Sequence, residues 1–247
     1  MFAAFAAGAP IGSALYTHYG FGSIALTTML LPLATLLCVV PLRSLPSVPR
    51  MQAGFMRVMA LVWFPGLGAA LSSIGFGAIT AYSALLFVAR EWAAWPAFAV
   101  FASVFILTRL FLGHLGDRFA AAKVALMCVL VEAAGLAFIW LSSSLALALT
   151  GAALTGFGYS LVYPGLGVEA VRAVPAQNRG LAMGAYTALL DVALGFGTPA
   201  LGFLADHVGL ASVFGASMLA ALGAAGIAFA LLNKSQVPLR SGALACP

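Results

Sequence analysis

Charged side chains are scarce in this sequence. Asp, Glu, Lys and Arg together make up 7% of the 247 residues, whereas 64% are hydrophobic. A water-soluble domain needs more polar residues to cover its surface, so the composition excludes that class. Apolar runs of about twenty residues recur along the chain, the length that crosses a ~30 Å hydrocarbon core. The short alternating segments of a transmembrane barrel are missing, and the sequence predicts an all-α polytopic membrane protein.

Residues that carry chemistry are also few. Of the three cysteines, Cys38 and Cys128 lie in apolar runs and Cys246 lies near the C-terminus, so no disulfide framework or metal-binding spacing is present. The sequence has no phosphate-binding glycine loop and no nucleophile–base–acid set. We therefore predict no enzyme activity, no metal and no organic cofactor. The basic residues behind the net charge of +5 are scattered through short loops, which argues against nucleic-acid binding.

The apolar runs predict about eight membrane spans, separated by turns that contain Gly, Pro, Ser and Asn. The predicted spans are Met1–Tyr16, Gly22–Leu42, Phe64–Ala89, Trp95–Leu115, Lys123–Leu141, Leu145–Val171, Gly180–Ala205 and Leu210–Asn233.

Loop charges predict the orientation of these spans. Arg90 is the loop cation on one side, with Glu91 beside it. All other loop cations fall on the opposite side: Arg43, Arg50, Arg57, Arg118, Lys123, Arg172, Arg179, Lys234 and Arg240. Because short cytoplasmic loops collect Lys and Arg, we expect the 43–57 linker and the C-terminus to be cytoplasmic.

The cytoplasmic end of the fourth span carries a distinctive motif. Arg109 lies one turn before Gly113, and Gly116, Asp117 and Arg118 follow. This pattern resembles the signature loop between helices 2 and 3, and again between helices 8 and 9, of the major facilitator superfamily. The usual glycine and basic residues after the Asp-Arg pair are replaced here by Ala120, Ala121 and Ala122, so the basic part of the loop is weakened. The resemblance implies that Gly113, Gly116, Asp117 and Arg118 form a gating loop, and Glu169 and Arg172 at the end of the sixth span would pair with each other or with that loop.

An internal repeat supports this resemblance. Gly8, Pro10, His18 and Gly20 recur at one constant offset as Gly197, Pro199, His207 and Gly209. Parallel repeats relate the two halves of such transporters. The repeat implies that the chain corresponds to helices 5 to 12 of a twelve-helix protein and lacks the first four helices. The implied division is residues 1–42 for the last two helices of the first half, 43–57 for the linker, 58–233 for the six-helix second half and 234–247 for the tail.

Three ionisable residues inside the spans are candidates for proton coupling, because such groups are costly in a membrane. Asp191 lies near the middle of the seventh span and Glu132 near the middle of the fifth, while Arg109 lies closer to a membrane surface. The alternative for each acid is a structural hydrogen bond to a neighbouring helix. The resemblance ranks Asp191 first, because its helix would face the other half, whereas the helix of Glu132 would be peripheral.

Other residues are candidates for a cavity wall. Tyr159 and Tyr163 are i, i+4 neighbours before Pro164, whose backbone effects are tolerated against protein or a water-filled cavity; aromatic packing is the alternative. The third span adds the polar residues Ser72, Ser73 and Thr80. Gly8, Pro10 and Gly12 partly match the helix 5 motif of proton-coupled exporters, which favours export.

The resemblance predicts a secondary active transporter of a bacterial inner membrane, close to the YhhS-type sugar-efflux or arabinose-efflux-like permeases. Proton-coupled efflux of a sugar or drug-like compound by alternating access is the expected function. The lipid bilayer, the substrate and the missing N-terminal helices are the expected partners. A truncated, non-transporting membrane protein or assembly partner is the alternative, and coding sequence for four more helices before Met1 would decide between them.

Overall fold

The computed structural model describes residues 11, 15, 18–39, 54–113, 120–172 and 174–236, with the side chains of 39 and 234–236 outside this set. Its helices are α1 (Phe21–Val39), α2 (Phe55–Ala89), α3 (Trp95–Leu112), α4 (Ala121–Trp140), α5 (Leu145–Arg172), α6 (Arg179–Val208) and α7 (Leu210–Gln236), with a 3-10 turn at Ala176–Asn178.

The predicted fold class is confirmed, since seven helices in the described part are long and apolar enough to cross a membrane. Each of the last seven predicted spans overlaps one of these helices. The first predicted span, Met1–Tyr16, lies outside the described residues except for Ile11 and Leu15.

The start of α2 differs from the prediction. The helix begins at Phe55 rather than Phe64, so residues 55–57 of the expected linker are helical. At 1.5 Å per residue its 35 residues extend about 52 Å, well beyond a ~30 Å hydrocarbon core. Phe55 and Met56 are exposed. A helix of this length is longer than one crossing of the hydrocarbon requires, so the apolar pattern alone does not mark where it begins.

The chain divides into two compact units, residues 1–50 and 51–247. In the first unit, α1 exposes Leu26, Met29, Leu33 and other apolar side chains along its length. Its Thr35 hydroxyl donates to the Leu31 carbonyl one turn back, which satisfies a polar side chain within the helix itself.

In the second unit, α2 packs on α5, α6 and α7 and also touches α3, while α4 packs on α5 and α7. The α4–α5 interface is the most extensive of these and depends on glycines. A Cβ at Gly135 would lie 2.5 Å from the backbone nitrogen of Thr155, and one at Gly165 would lie 3.1 Å from the Cβ of Ala125. Small residues allow this close backbone approach in a bilayer, where the hydrophobic effect does not bring helices together.

The turns on one side of the second unit are joined by Arg90. Its guanidinium donates to the carbonyl and the hydroxyl of Ser142, in the turn between α4 and α5. The same group lies 5.4 Å from the ring centre of Trp92. Arg90 therefore binds the α2–α3 turn to the α4–α5 turn.

Candidate functional site

Glu132 is the one acidic or basic side chain that is fully buried in the described part of the chain. It lies at the middle of α4 and has 0% relative exposure. One carboxyl oxygen, Oε2, accepts a hydrogen bond of 2.5 Å from the Ser72 hydroxyl of α2. The other, Oε1, has no hydrogen-bond partner among the described residues. The carboxyl is therefore only half satisfied inside the bundle.

Two glycines from neighbouring helices shape the space around this carboxyl. A Cβ at Gly75 of α2 would lie 2.8 Å from Oε1, and a Cβ at Gly158 of α5 would lie 2.8 Å from the Cβ of Glu132. Ser72 and Gly75 lie on one face of α2, since they are three residues apart. The three helices thus meet at Glu132, and we call Ser72, Gly75, Glu132 and Gly158 the Glu132 junction.

The predicted residues Ser73, Thr80 and Ser72 do not share one surface. Ser72 and Ser73 are buried, and the Ser73 hydroxyl donates to the Ala70 carbonyl of its own helix. Thr80 is exposed and bonds to Phe76 and Gly77 carbonyls of α2. Of these three side chains, Ser72 is the one that donates a hydrogen bond to another helix in the described part of the chain.

Tyr159 is part of an aromatic cluster between α2, α3 and α5. Its ring is nearly parallel to that of Phe76, with centres 5.0 Å apart, and lies 6.0 Å from that of Phe105. Tyr159 itself is buried. Offset ring pairs of this kind stabilise a core beyond their buried area. The geometry of Tyr159 matches the aromatic packing that the sequence left as an alternative to a cavity wall.

Tyr163 lies at the contact between α5 and α6. Its hydroxyl is 3.4 Å from the Thr187 hydroxyl, and its backbone carbonyl accepts a 2.7 Å hydrogen bond from the Tyr186 hydroxyl. The two tyrosine rings lie 5.3 Å apart. Tyr186 and Thr187 were not expected from the sequence, where they read as ordinary residues of an apolar span.

A hydrogen bond also joins α6 to α2. The Tyr82 hydroxyl donates to the Thr198 carbonyl at 2.7 Å. A Cβ at Gly202 would lie 2.7 Å from that hydroxyl, so the glycine leaves the space that Tyr82 needs. Hydroxyl-to-backbone bonds therefore hold α6 on both α2 and α5.

Arg109 contacts α5 at the position that Pro164 alters. A proline inside a helix lacks the N–H that would bond to the carbonyl four residues earlier, which here is the carbonyl of Ser160. The Arg109 guanidinium donates to that carbonyl at 3.0 Å. Because Arg109 is half-buried near the end of α3, it supplies the hydrogen bond that the proline removes. Pro164 was the signal in the sequence, because a proline inside a helix leaves the carbonyl four residues earlier, that of residue 160, without its usual donor.

Asp191 lies on an exposed face of α6. The same face carries Gly184, Ala188, Gly195 and Pro199, all exposed. A Cβ at Gly184 or Gly195 would meet nothing within 4 Å. We call these five residues the α6 stripe. The structure thus places the two candidate acids in opposite surroundings, with Glu132 enclosed and Asp191 open.

The gating residues are described only in part. Gly113 ends α3, and a Cβ there would lie 2.5 Å from the Arg109 carbonyl oxygen. Glu169 and Arg172 form an ion pair at 3.3 Å, with the Arg172 side chain 62% exposed. The predicted residues Gly116, Asp117 and Arg118 of the loop, and Gly8, Pro10 and Gly12 of the helix 5 motif, lie outside the described residues.

No group of three or more His, Cys, Asp or Glu side chains in the described ranges is arranged to hold a metal ion. The polar groups described above are instead a carboxyl, hydroxyls and a guanidinium at separate helix contacts, each bonded to helix backbone or to another side chain. Such groups can bind and transfer protons and can fix helix contacts.

The sequence profile of the Major Facilitator Superfamily matches residues 66–243. An uncharacterized MFS-type transporter of Salmonella typhimurium is 39% identical over 234 residues, which cover 94% of this chain and 60% of that protein. One of Pseudomonas aeruginosa is 41% identical over 194 residues, covering 78% of this chain and 48% of that protein. One of Burkholderia mallei is 39% identical over 253 residues, covering 99% of this chain and 60% of that protein.

The chain therefore spans about 60% of the length of the relatives that it matches over nearly all its residues. The family consists of membrane transporters rather than enzymes, in agreement with the sequence. The profile match over the six-helix unit and these bacterial relatives show that the chain is a multi-pass membrane protein that belongs to the major facilitator superfamily.

Proposed function

We propose that this chain forms the second half, and the end of the first half, of a proton-coupled secondary transporter that exports a small molecule by alternating access. The main structural support for this proposal is the α6 stripe. It presents small residues and one carboxylate along an open helix face, whereas a Cβ at most other glycines of the bundle would meet atoms within 4 Å. Small residues of this kind are typical of a helix that packs closely on another membrane helix.

The finer assignments of helices, subfamily and substrate rest on the sequence pattern. We propose residues 1–42 as helices 5 and 6, 43–57 as the cytoplasmic linker, 58–233 as helices 7 to 12 and 234–247 as a cytoplasmic tail in a bacterial inner membrane. The end of the linker, from Phe55, already belongs to α2, and the start of the tail, to Gln236, still belongs to α7. The YhhS-type sugar-efflux or arabinose-efflux-like permeases are the proposed subfamily, with a sugar or a drug-like compound as substrate. The partial helix 5 motif at Gly8, Pro10 and Gly12 supports export.

Asp191 is the proposed coupling residue. It stands at the middle of the α6 stripe, where the other half would cover it in one conformation and expose it in another. A carboxyl whose surroundings alternate in this way can take up a proton on one side of the membrane and release it on the other. Asp117 and Arg118, with Glu169 and Arg172, are the proposed cytoplasmic gate, and Asp117→Asn should slow turnover while substrate binding persists.

A chimera tests the proposal. The N-terminal segment of the Salmonella relative is joined to this chain, and inverted membrane vesicles that contain the chimera are acidified by respiration. Addition of sugars and cationic dyes in turn should collapse the pH gradient for at least one compound. The same compound should have no effect on vesicles with Asp191→Asn, whereas substrate exchange without a gradient should survive in that variant.

Full gradient-driven transport by the Asp191→Asn chimera would reject Asp191 as the coupling residue. A chimera that reaches the membrane folded but moves none of the compounds would instead favour the alternative, a non-transporting membrane protein or assembly partner.

A further inference from the structure

The Glu132 junction contains a carboxyl that packing alone does not explain. Glu132 is fully enclosed, and its Oε1 has no hydrogen-bond partner among the described residues. Replacing a buried charged group by an apolar side chain of similar volume is often neutral or stabilising. An apolar residue would therefore serve the contact between α2, α4 and α5 at least as well as glutamate does. The carboxyl needs a role that an apolar side chain cannot perform.

The surroundings of Glu132 suit a neutral carboxyl better than an ionised one. The Ser72 hydroxyl is its one hydrogen-bond donor in the described part, at 2.5 Å. An ionised carboxylate accepts several hydrogen bonds and is expensive to bury without a cation or further donors. Gly75 leaves no side chain that could donate to Oε1. An ionised Glu132 would need water or a new donor, and α2 lies so near at this point that a Cβ at Gly75 would come within 2.8 Å of Oε1.

Few other titratable groups face this carboxyl. In the described part of the chain, Tyr159 of α5 and Cys128 of α4 are titratable side chains that interact with it electrostatically. From α2 the neighbouring polar group is Ser72, which does not titrate. The α7 residues with described side chains, Leu210–Asn233, include no acidic, basic, cysteine or tyrosine side chain. A change in the protonation of Glu132 would therefore not be compensated by a charged neighbour in the described residues.

We propose that Glu132 is a proton-binding site inside the six-helix unit, and that its proton occupancy controls how tightly α2 packs on α4 and α5. With the proton bound, the neutral carboxyl and Ser72 close the junction. When the proton leaves for water, the carboxylate draws water toward Oε1 and loosens the contact around Gly75. This site is separate from Asp191 on the α6 stripe, so its test does not depend on transport.

Infrared difference spectroscopy on the purified chain in lipid nanodiscs tests proton binding directly. Spectra at near-neutral and alkaline pH, where solvent-exposed carboxyls are ionised in both, should differ by a protonated-carboxyl C=O band. We expect that band to be absent from Glu132→Gln, present in Asp191→Asn, and shifted in frequency in Ser72→Ala, which keeps the carboxyl but removes its donor. A band that Glu132→Gln retains, that Ser72→Ala leaves unmoved, or that is unchanged at every pH would overturn the proposal.

Hydrogen–deuterium exchange tests the effect on packing. Glutamine has the shape of a protonated glutamate and cannot lose a proton, so Glu132→Gln should keep the junction closed. At alkaline pH, backbone amides of 72–77 should exchange about tenfold faster in the unaltered chain than in Glu132→Gln, because local opening becomes easier. At acidic pH the two should agree. Equal exchange at alkaline pH would show that the carboxyl does not control the contact.

The two measurements also cover a variant that does not fold. If Glu132→Gln is lost to aggregation, the band shift in Ser72→Ala still identifies the carboxyl. Gly184→Ala retains Glu132 and is the matched control, so its amides of 72–77 should exchange at alkaline pH as fast as those of the unaltered chain. A difference between those two would overturn the assignment to the junction.

Discussion

Arg109 shows how a single charged side chain inside a membrane helix can have a backbone role. Its guanidinium donates to the Ser160 carbonyl at 3.0 Å, the carbonyl that Pro164 leaves without an intrahelical donor. The N–H groups of a charged guanidinium make stronger hydrogen bonds to a carbonyl than neutral N–H groups do. Arg109 also precedes the motif glycine Gly113 by one turn, so the bond connects the α5 proline to the end of α3 that leads into the gating loop.

A double-mutant cycle tests this pairing. Arg109→Leu should lower the free energy of unfolding by about 1–3 kcal/mol, because it leaves a carbonyl unsatisfied. Pro164→Ala restores the N–H for Ser160, so Arg109→Leu should cost about 1 kcal/mol less in that background. Unfolding by denaturing detergent, followed by circular dichroism, measures both.

Arg172→Leu is the matched control, since it removes an arginine whose side chain is 62% exposed in a local ion pair. Its effect should stay within about 0–1 kcal/mol and should not depend on Pro164. Strictly additive effects of Arg109→Leu and Pro164→Ala would contradict the pairing.

At the scale of the helices, the space around each glycine shows whether a neighbouring helix packs against that position. A Cβ at Gly135 would lie 2.5 Å from the backbone nitrogen of Thr155, where nothing can yield except the helices themselves. A Cβ at Gly195 would meet nothing within 4 Å. The two glycines have the same chemistry, and only the neighbouring helix distinguishes them.

We therefore expect opposite effects of the same substitution. Gly135→Ala should destabilise the chain by about 1–3 kcal/mol, because it forces α4 and α5 apart. Gly195→Ala should be neutral or stabilise it by up to about 1 kcal/mol, because alanine is the better helix former. Thermal unfolding of the two variants in detergent measures the contrast. Equal losses of stability would show that the α4–α5 interface is looser than described.

Helix positions could be predicted from the sequence far better than helix faces. Apolar runs mark a span because the bilayer demands them. The side of a membrane helix that faces protein is harder to predict, because lipid and protein interior are both apolar and no polar stripe separates them. For that reason the sequence ranked Asp191 above Glu132 by depth and resemblance, and the enclosure of Glu132 beside Ser72 became known only from the packing of three helices.

Two other differences have similar causes. The early start of α2 at Phe55 was missed because hydropathy follows the bilayer, and a helix can continue beyond it. The Tyr186 hydroxyl bond to the Tyr163 carbonyl depends on how α5 and α6 approach each other, for which the sequence offers no periodic signal. The Arg109–Ser160 bond could have been predicted in part, because Pro164 identifies the carbonyl that needs a donor.

At the scale of the whole molecule, the loop charges predict one topology. Alkaline phosphatase, which is active only outside the cytoplasm, can be fused after Arg50, after Glu91 and after Lys234. The fusions after Arg50 and Lys234 should be inactive, because the basic loops are expected in the cytoplasm. The fusion after Glu91 should be active and is the matched control for expression. Activity after Arg50 or Lys234 would reverse the proposed orientation.

The enclosure of Glu132 also bears on how the chain enters the membrane during synthesis. An acidic residue at the centre of a spanning helix makes the free energy of insertion less favourable by roughly 3 kcal/mol. Ser72 of α2 is made before α4 and can already be in the membrane, but Gly158 arrives only with α5, after a turn of a few residues. We expect α4 and α5 to insert as a helical pair. In cell-free translation, α4 alone should insert poorly, Glu132→Leu should rescue it, and α4 joined to α5 should not need that rescue.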